Sequence, residues 1–241
     1  MENRRTYILL VEGKTDTILY KTLIEKSIGC REYDIEYLHY NIRMLLSKIR
    51  IHRRDLMVLE IQNNLLIIIN CKGYDRLKNY LKELIDSDYF IESIHNGLSG
   101  IIVAADKDRV PMDSIYSVLA SLKYRVFRDN HSFKIDAVEK EYFPIYIIEQ
   151  GLDSGVKAIE DELDLLAEQL YPDMTKAINA VEEIIKTKLS PIQRLGIIEA
   201  IKVNNNGLYA LIPKLVRDAS LEELRNKLYN QFHLLDILTQ T

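Results

Sequence analysis

The sequence predicts an α/β fold, a mostly parallel sheet flanked by helices, followed by a helical C-terminal part. Three observations carry that expectation. Short continuous apolar runs recur at Tyr7–Val11, Leu65–Ile69 and Gly100–Ala105, as expected for strands covered on both faces. Each is followed by a stretch with helical apolar spacing, the alternation that builds parallel sheets. From Gly155 onward the strand-like runs stop and only helical spacing remains. The expected division is an α/β core over 1–150 and a helical extension over 151–241, packed on the core.

Taken in order, Tyr7–Val11 reads as the first strand. Glu12-Gly13-Lys14 breaks the pattern, and Thr15 is placed to cap a helix with Asp16 in its first turn. Ile18, Leu19, Thr22 and Leu23 give that helix its apolar stripe. Arg31 to Glu60 mixes Tyr, Arg, His and Leu without one clean period, and yields no firm element. Leu65–Ile69 is the second strand, ending in Asn70-Cys71-Lys72-Gly73. Leu77, Leu81, Leu84 and Ile85 form the next helical stripe. Gly100–Ala105 is the third strand, ending in Asp106-Lys107-Asp108, before a helix marked by Ile115, Val118, Leu119 and Leu122. Tyr124–Arg128 and Pro144–Ile148 are further strand candidates. Val156, Ile159, Leu163, Leu166 and Leu170 then follow 3-4-3-4 spacing. Ser190 with Gln193 and Ser220 with Glu223 are capping boxes, and Leu221, Leu224, Leu228, Phe232 and Leu235 make a last stripe.

Composition narrows the function classes. The chain has 241 residues, 47% of them hydrophobic, enough for a full core. Its net charge is -4 and its pI about 5.8, so its overall field does not advertise nucleic-acid binding. The densest basic cluster is local: Lys48, Arg50, His52, Arg53 and Arg54. It fits phosphate contacts and also an ordinary solvated face. No apolar run approaches the ~20 residues of a membrane helix, and the polar start followed by five apolar residues is too short for a signal core. Cys30 and Cys71 are the only cysteines, too few for a Cys-rich metal site, so a cytoplasmic protein without membrane contact is expected.

In parallel α/β sheets functional groups collect beyond the carboxyl ends of the strands. Glu12, Asn70 and Asp106 each stand at such an end. Asp106 and Asp108 are one residue apart, so an extended strand end would point both the same way. Together with Glu12 they offer the hard oxygen donors that Mg²⁺ takes up. Gly13 would let a phosphate or metal approach the backbone, and Lys14 and Lys107 are candidate phosphate contacts.

Val11-Glu12-Gly13-Lys14-Thr15-Asp16 after one strand, and Asp106-Lys107-Asp108 after another, resemble the two motifs of the Toprim domain. DNA primases, type I and II topoisomerases, ribosomal-RNA maturases and OLD-type nucleases share that domain, and the resemblance spans Tyr7 to Ile148. It implies a Toprim-like (Rossmann-like) sheet, Glu12 as general acid/base, and Asp106 and Asp108 holding Mg²⁺ (or Mn²⁺). The chain is also similar to small stand-alone Toprim-like proteins of unknown function with a later Gly-x-x-x-x-Glu element. Gly155 and Glu160 match it, which implies Glu160 as a further metal ligand. The chain lacks the cysteines of a primase zinc module and has little room for a topoisomerase gate. The resemblance therefore implies nucleic acid, DNA or RNA, as partner and phosphodiester cleavage by a small nuclease.

Other readings stay open, and with them whether the chain is an enzyme at all. One is a Toprim-like module that binds metal and nucleic acid without turnover. Another is a haloacid-dehalogenase-like phosphatase, whose nucleophile motif Asp106-Lys107-Asp108 also resembles. Asp16 reads equally as a first-turn helix residue, and Glu160 as part of a solvated acidic face with Asp161, Glu162 and Asp164. The C-terminal helices are also candidates for a homodimer contact.

Overall fold

The computed structural model describes residues 4–138, 141–151, 158–203 and 207–239. Its strands are β1 (Thr6–Val11), β2 (Arg31–Glu32), β3 (Leu56–Ile61), β4 (Asn64–Asn70), β5 (Leu98–Asp106), β6 (Val126–Arg128), β7 (Ser132–Val138) and β8 (Glu141–Gln150). They form one sheet in the order β2-β3-β4-β1-β5-β8-β7-β6. The four central strands, β4, β1, β5 and β8, run parallel. The outer ones, β2 and β3 on one side and β7 and β6 on the other, are antiparallel. The register sets Val11 beside both Asn70 and Ala104, and Asp106 beside Gln150.

The helices are α1 (Lys14–Ser27), α2 (Tyr40–Lys48), α3 (Tyr74–Ile85), α4 (Phe90–His95), α5 (Pro111–Ala120), α6 (Ile159–Leu170), α7 (Pro172–Ile185), α8 (Pro191–Lys202), α9 (Leu208–Asp218), α10 (Leu221–Lys227) and α11 (Tyr229–Thr239). Two layers of them sandwich the sheet, and strand alternation decides which residue meets which layer. Leu9, Val11, Ile102, Ala104 and Ile148 pack with α1 and with apolar residues of α6 to α11. Ile8, Leu10, Ile101, Val103 and Ile147 pack with α2 to α5. The C-terminal helices thus bury their stripes in the same apolar cluster as the sheet.

Arg194 of α8, 7% exposed, ties three of those helices together. Its Nε donates to Asp164 Oδ2 of α6 at 2.9 Å and its Nη2 to Glu168 Oε1 at 2.7 Å. Its Nη1 donates to Glu182 Oε1 and Asn179 Oδ1 of α7, both at 3.0 Å. With these bonds the guanidinium's fork is nearly filled. Among the described residues, no helix is long and apolar enough to cross a membrane.

Several local expectations change. α1 is capped at Gly13 rather than Thr15, because the Asp16 carboxylate accepts the Gly13 N–H at 2.8 Å. The stretch 31–60, without a clear period, holds β2, α2 and β3 and two short 3-10 turns. Within it Leu38, Ile42, Leu45, Leu46 and Ile49 make a buried stripe at 4-3-1-3 spacing in and around α2, which the interspersed Tyr, Arg and His residues mask in the sequence. β7, with its alternation SFKIDAV, was passed over, and β8 runs on to Gln150. The capping boxes stand: Ser190 N–H donates to Gln193 Oε1 at 2.8 Å, and Ser220 N–H to Glu223 Oε2 at 2.6 Å. Gly155 and Val156 lie outside the described residues.

Candidate functional site at the strand ends

β1 and β5 are neighbours, so the acids that follow or end them meet across the sheet edge. Glu12 Oε1 accepts a hydrogen bond from the Asp106 main-chain N–H at 3.1 Å. Asp106 has the same strand parity as Ile102 and Ala104, which turns its side chain toward α1 and α6. There Asp106 Oδ1 accepts the Ile159 N–H at 3.2 Å, one of the unpaired donors at the start of α6, where the helix dipole favours an anion. Gln150 sits beside Asp106 in the register, fully buried, and its Nε2 donates to Asp16 Oδ1 at 2.7 Å.

Electrostatics join these groups into one cluster. Burial, then the negative charges of Asp16, Glu12 and Glu160, raise the Asp106 carboxyl to about 8, against the Ile159 N–H. Burial raises Asp16 to about 7, against hydrogen bonds from Gln150 and Gly13, with Glu160 and Glu12 adding to the rise. Glu12 is also raised, first by burial, with the Asp106 N–H and the Arg109 charge opposing and Asp108 and Glu160 reinforcing. Five carboxylates therefore share one field, and three of them, Asp106, Asp16 and Glu12, resist ionisation. Just behind them Glu162 of α6, fully buried, is lifted by burial to about 7 while it accepts Gln231 Nε2 at 2.6 Å.

The other expected residues fall around this cluster. Asp108 does not point alongside Asp106. The strand stops at Asp106 and residues Lys107–Arg109 turn as a 3-10 helix, so the alternation rule ends there. Its carboxylate is 46% exposed and lies 3.4 Å from Arg109 Nε. Glu160 stands in the first turn of α6, next to the residue that holds Asp106. Asp16 is both a cap for α1 and a member of the cluster. Asn70 closes its own turn, its Oδ1 accepting the Lys72 N–H at 3.1 Å. Gly13 has an extended backbone open to any residue, and a Cβ there would meet Asp16 Oδ2 at an ordinary 3.5 Å.

The cations are spread along the edge. The Lys14 ammonium lies 4.2 Å from the centre of the Tyr209 ring, a cation–π contact at the seam of α1 and α9. Arg53 and Arg54 form a 3-10 turn before β3, at the same edge as Asn70 because Leu56 pairs with Ile69. They are two strands away from β1, and Arg53 Nη2 approaches Asp34 at 3.4 Å and Glu36 at 3.8 Å. Lys107 lines a cleft on the opposite side of the cluster, together with Glu149 and Asn230.

Sequence reading missed Gln150, Glu162, Gln231 and Gly73. Gly73 adopts φ 122 before α3, and its N–H donates to the Glu12 carbonyl at 2.8 Å. Its place after a strand end was the available signal. Gln150 would have emerged had the last strand been extended past Ile148.

Among the described residues, no three acidic, histidine or cysteine side chains form a ready-made coordination sphere. Mg²⁺ does not require one, since it is commonly held by one or two carboxylates and completed by water and phosphate oxygens. The donor chemistry fits such an ion, because buried, mutually repelling carboxylates gain most from a divalent charge.

No family model matches the chain, and no curated protein matches it. Among solved structures, a hypothetical protein from Pyrococcus horikoshii OT3 is similar along nearly the whole length. The two share 25% sequence identity with a TM-score of 0.70, over 97% of this chain and 96% of that one. The α/β fold is shared end to end. The likeness therefore includes the C-terminal helices as well as the sheet.

Proposed function

We propose that this protein is a Toprim-like, Mg²⁺-dependent enzyme that cleaves nucleic-acid phosphodiesters. The observation that carries the reading is the meeting of Glu12 with Asp106 at adjacent strand ends, 3.1 Å apart through the Asp106 N–H. Asp106, with Glu160 near it and Asp108 drawn in from Arg109, would hold the cation. When bound, the ion supplies positive charge against the scissile phosphate and acidifies a coordinated water.

The chain's own groups have separable tasks. Glu12 is half-buried and holds its proton more tightly than an ordinary glutamate, which suits proton transfer at an attacking or leaving oxygen. The Ile159 N–H and the start of α6 fix Asp106 in place. Gln150 orients Asp16, which in turn fixes the Gly13 turn beneath Glu12. Lys107 is the cation nearest in sequence to Asp106, and so the candidate phosphate contact.

A second reading, a module that binds metal and nucleic acid without turnover, is favoured by the exposure of Asp108 and its pairing with Arg109. One experiment separates them. Purified protein is incubated with single- and double-stranded DNA and RNA in Mg²⁺ or Mn²⁺, beside Glu12→Gln and Asp106→Ala. Cleavage that both substitutions abolish supports the enzyme. Metal-dependent binding without products supports the module. Cleavage that survives both substitutions removes this site from either reading.

A further inference from the structure

We infer that the cleft beside Lys107 is a stacking site for an unpaired nucleobase, so that the substrate is single-stranded next to the phosphate at Asp106. The inference rests on the nucleic-acid reading above and adds the class of strand.

The cleft has a volume of about 360 Å³, within the range of small-ligand sites. It continues the acidic cluster directly. Its floor is β8, whose Glu149 lies beside Ala105 in the register, and one wall is Lys107, the residue after Asp106. The opposite wall is the first turn of α11. Asn230 Nδ2 donates to the Gly151 carbonyl at 3.1 Å, which anchors that helix on the end of β8.

Three rings gather there. Tyr229 is 60% exposed, so its ring face is open to a ligand. It meets His233 edge-on, with ring centroids 5.2 Å apart. His233 in turn faces His131, from the turn before β7, at 6.2 Å and an interplanar angle of 23°. Tyr229 and His233 stand one turn apart on α11 and His131 comes from the turn before β7, so two anchored elements fix the platform before a ligand comes.

The chemistry around the rings selects the occupant. Stacking on aromatic faces tolerates any base, because every base has a π-face, and it requires the base to be free of its own stack. Glu149 offers an acceptor to exocyclic amino groups, and Lys107 supplies positive charge on the side toward Asp106. A paired duplex hides its base faces and would present only its backbone to this edge.

The test uses the full chain and fluorescence anisotropy without divalent metal, so that nothing is cut. The probes are labelled oligocytidine, as RNA and as DNA, and a blunt duplex of equal length. Tyr229→Ala should weaken single-strand binding about tenfold and leave duplex binding unchanged, while Tyr229→Phe keeps the wild-type affinity. Thermal melting of both variants controls for folding. Unchanged single-strand affinity in Tyr229→Ala, or an equal loss on the duplex, overturns the inference. If in either case the wild type still cuts nucleic acid through Glu12 and Asp106, the proposed function stands without it. A wild-type protein that binds none of the probes overturns the inference, and one that in addition cuts no nucleic acid in Mg²⁺ or Mn²⁺ overturns both.

Discussion

The Asp106 main-chain N–H donates to Glu12 Oε1 at 3.1 Å, across 94 residues of sequence. This bond joins the ends of two parallel strands and separates folding from chemistry at position 12. An amide oxygen accepts the same bond, whereas an amide does not exchange a proton. Glu12→Gln should therefore melt within a few degrees of wild type and lose roughly a hundredfold or more of the metal-dependent cleavage rate. Single-turnover rates beside melting curves measure the two effects, and a variant that still cuts at the wild-type rate removes Glu12 from proton transfer.

The raised carboxyls give the metal-free protein a pH signature. Asp106 titrates at about 8 and Asp16 at about 7 in the fold, against about 4 in an unfolded chain. Between those limits the folded state holds protons that the unfolded state has released. Stability is then complete below about pH 4 as far as these groups go, and falls as pH rises through 7 to 8. Melting temperature should decline across that window without divalent metal, and Mg²⁺ should restore it at the alkaline end. Asp106→Asn should flatten the same profile, and a curve as steep as wild type in that variant would assign the effect elsewhere.

Removing Arg194 should create a second, separate dependence on acid. Replacing it with alanine strands Asp164 and Glu168, which it now joins, whereas Glu182 keeps Lys188 Nζ at 2.9 Å and the Leu189 N–H at 3.0 Å, and the loss of a buried ion-pair partner is costly. The melting temperature should fall by roughly 10 °C near neutral pH. Burial already raises Asp164 to about 6 with Arg194 present, so mild acid should neutralise the stranded groups and recover part of the loss. A deficit independent of pH would point to lost packing instead.

Two glycines test backbone geometry near the sheet edges. A Cβ at Gly73 meets nothing within 4 Å, so Gly73→Ala is opposed only by its φ of 122 and should lose about 1–2 kcal/mol. At Gly97 φ is 98, and a Cβ would also come within 2.7 Å of the Arg4 carbonyl oxygen. Gly97→Ala should be the worse of the two in urea titrations. Equal losses would show that the Arg4 segment yields readily.

The central strands and the acids at their ends were legible because they repeat one local pattern, an apolar run broken by polar residues. Glu12 and Asp106 follow from it without any knowledge of pairing order. Asp108 did not, because spacing of two implies a shared side only while the chain remains extended, and here it turns at Lys107. β7 was missed because its outward residues Ser132, Lys134 and Asp136 dilute the apolar count. β2 is too short to leave a signal. Gln150 needed the last strand carried two residues past Ile148, and Glu162 reaches the site through tertiary placement, which its neighbours' spacing does not announce.

The grip of Ile159 on Asp106 has a consequence during synthesis. A growing chain that has emerged only as far as Gln150 already carries both acidic motifs and all the described strands, yet it lacks the amide that fixes Asp106 and the helix that shields it. Its carboxylates would still meet bulk water and ionise as ordinary acids. The nascent polypeptide thus spells out the motif long before it owns the site, and an amino-terminal fragment bearing the same letters should be chemically silent.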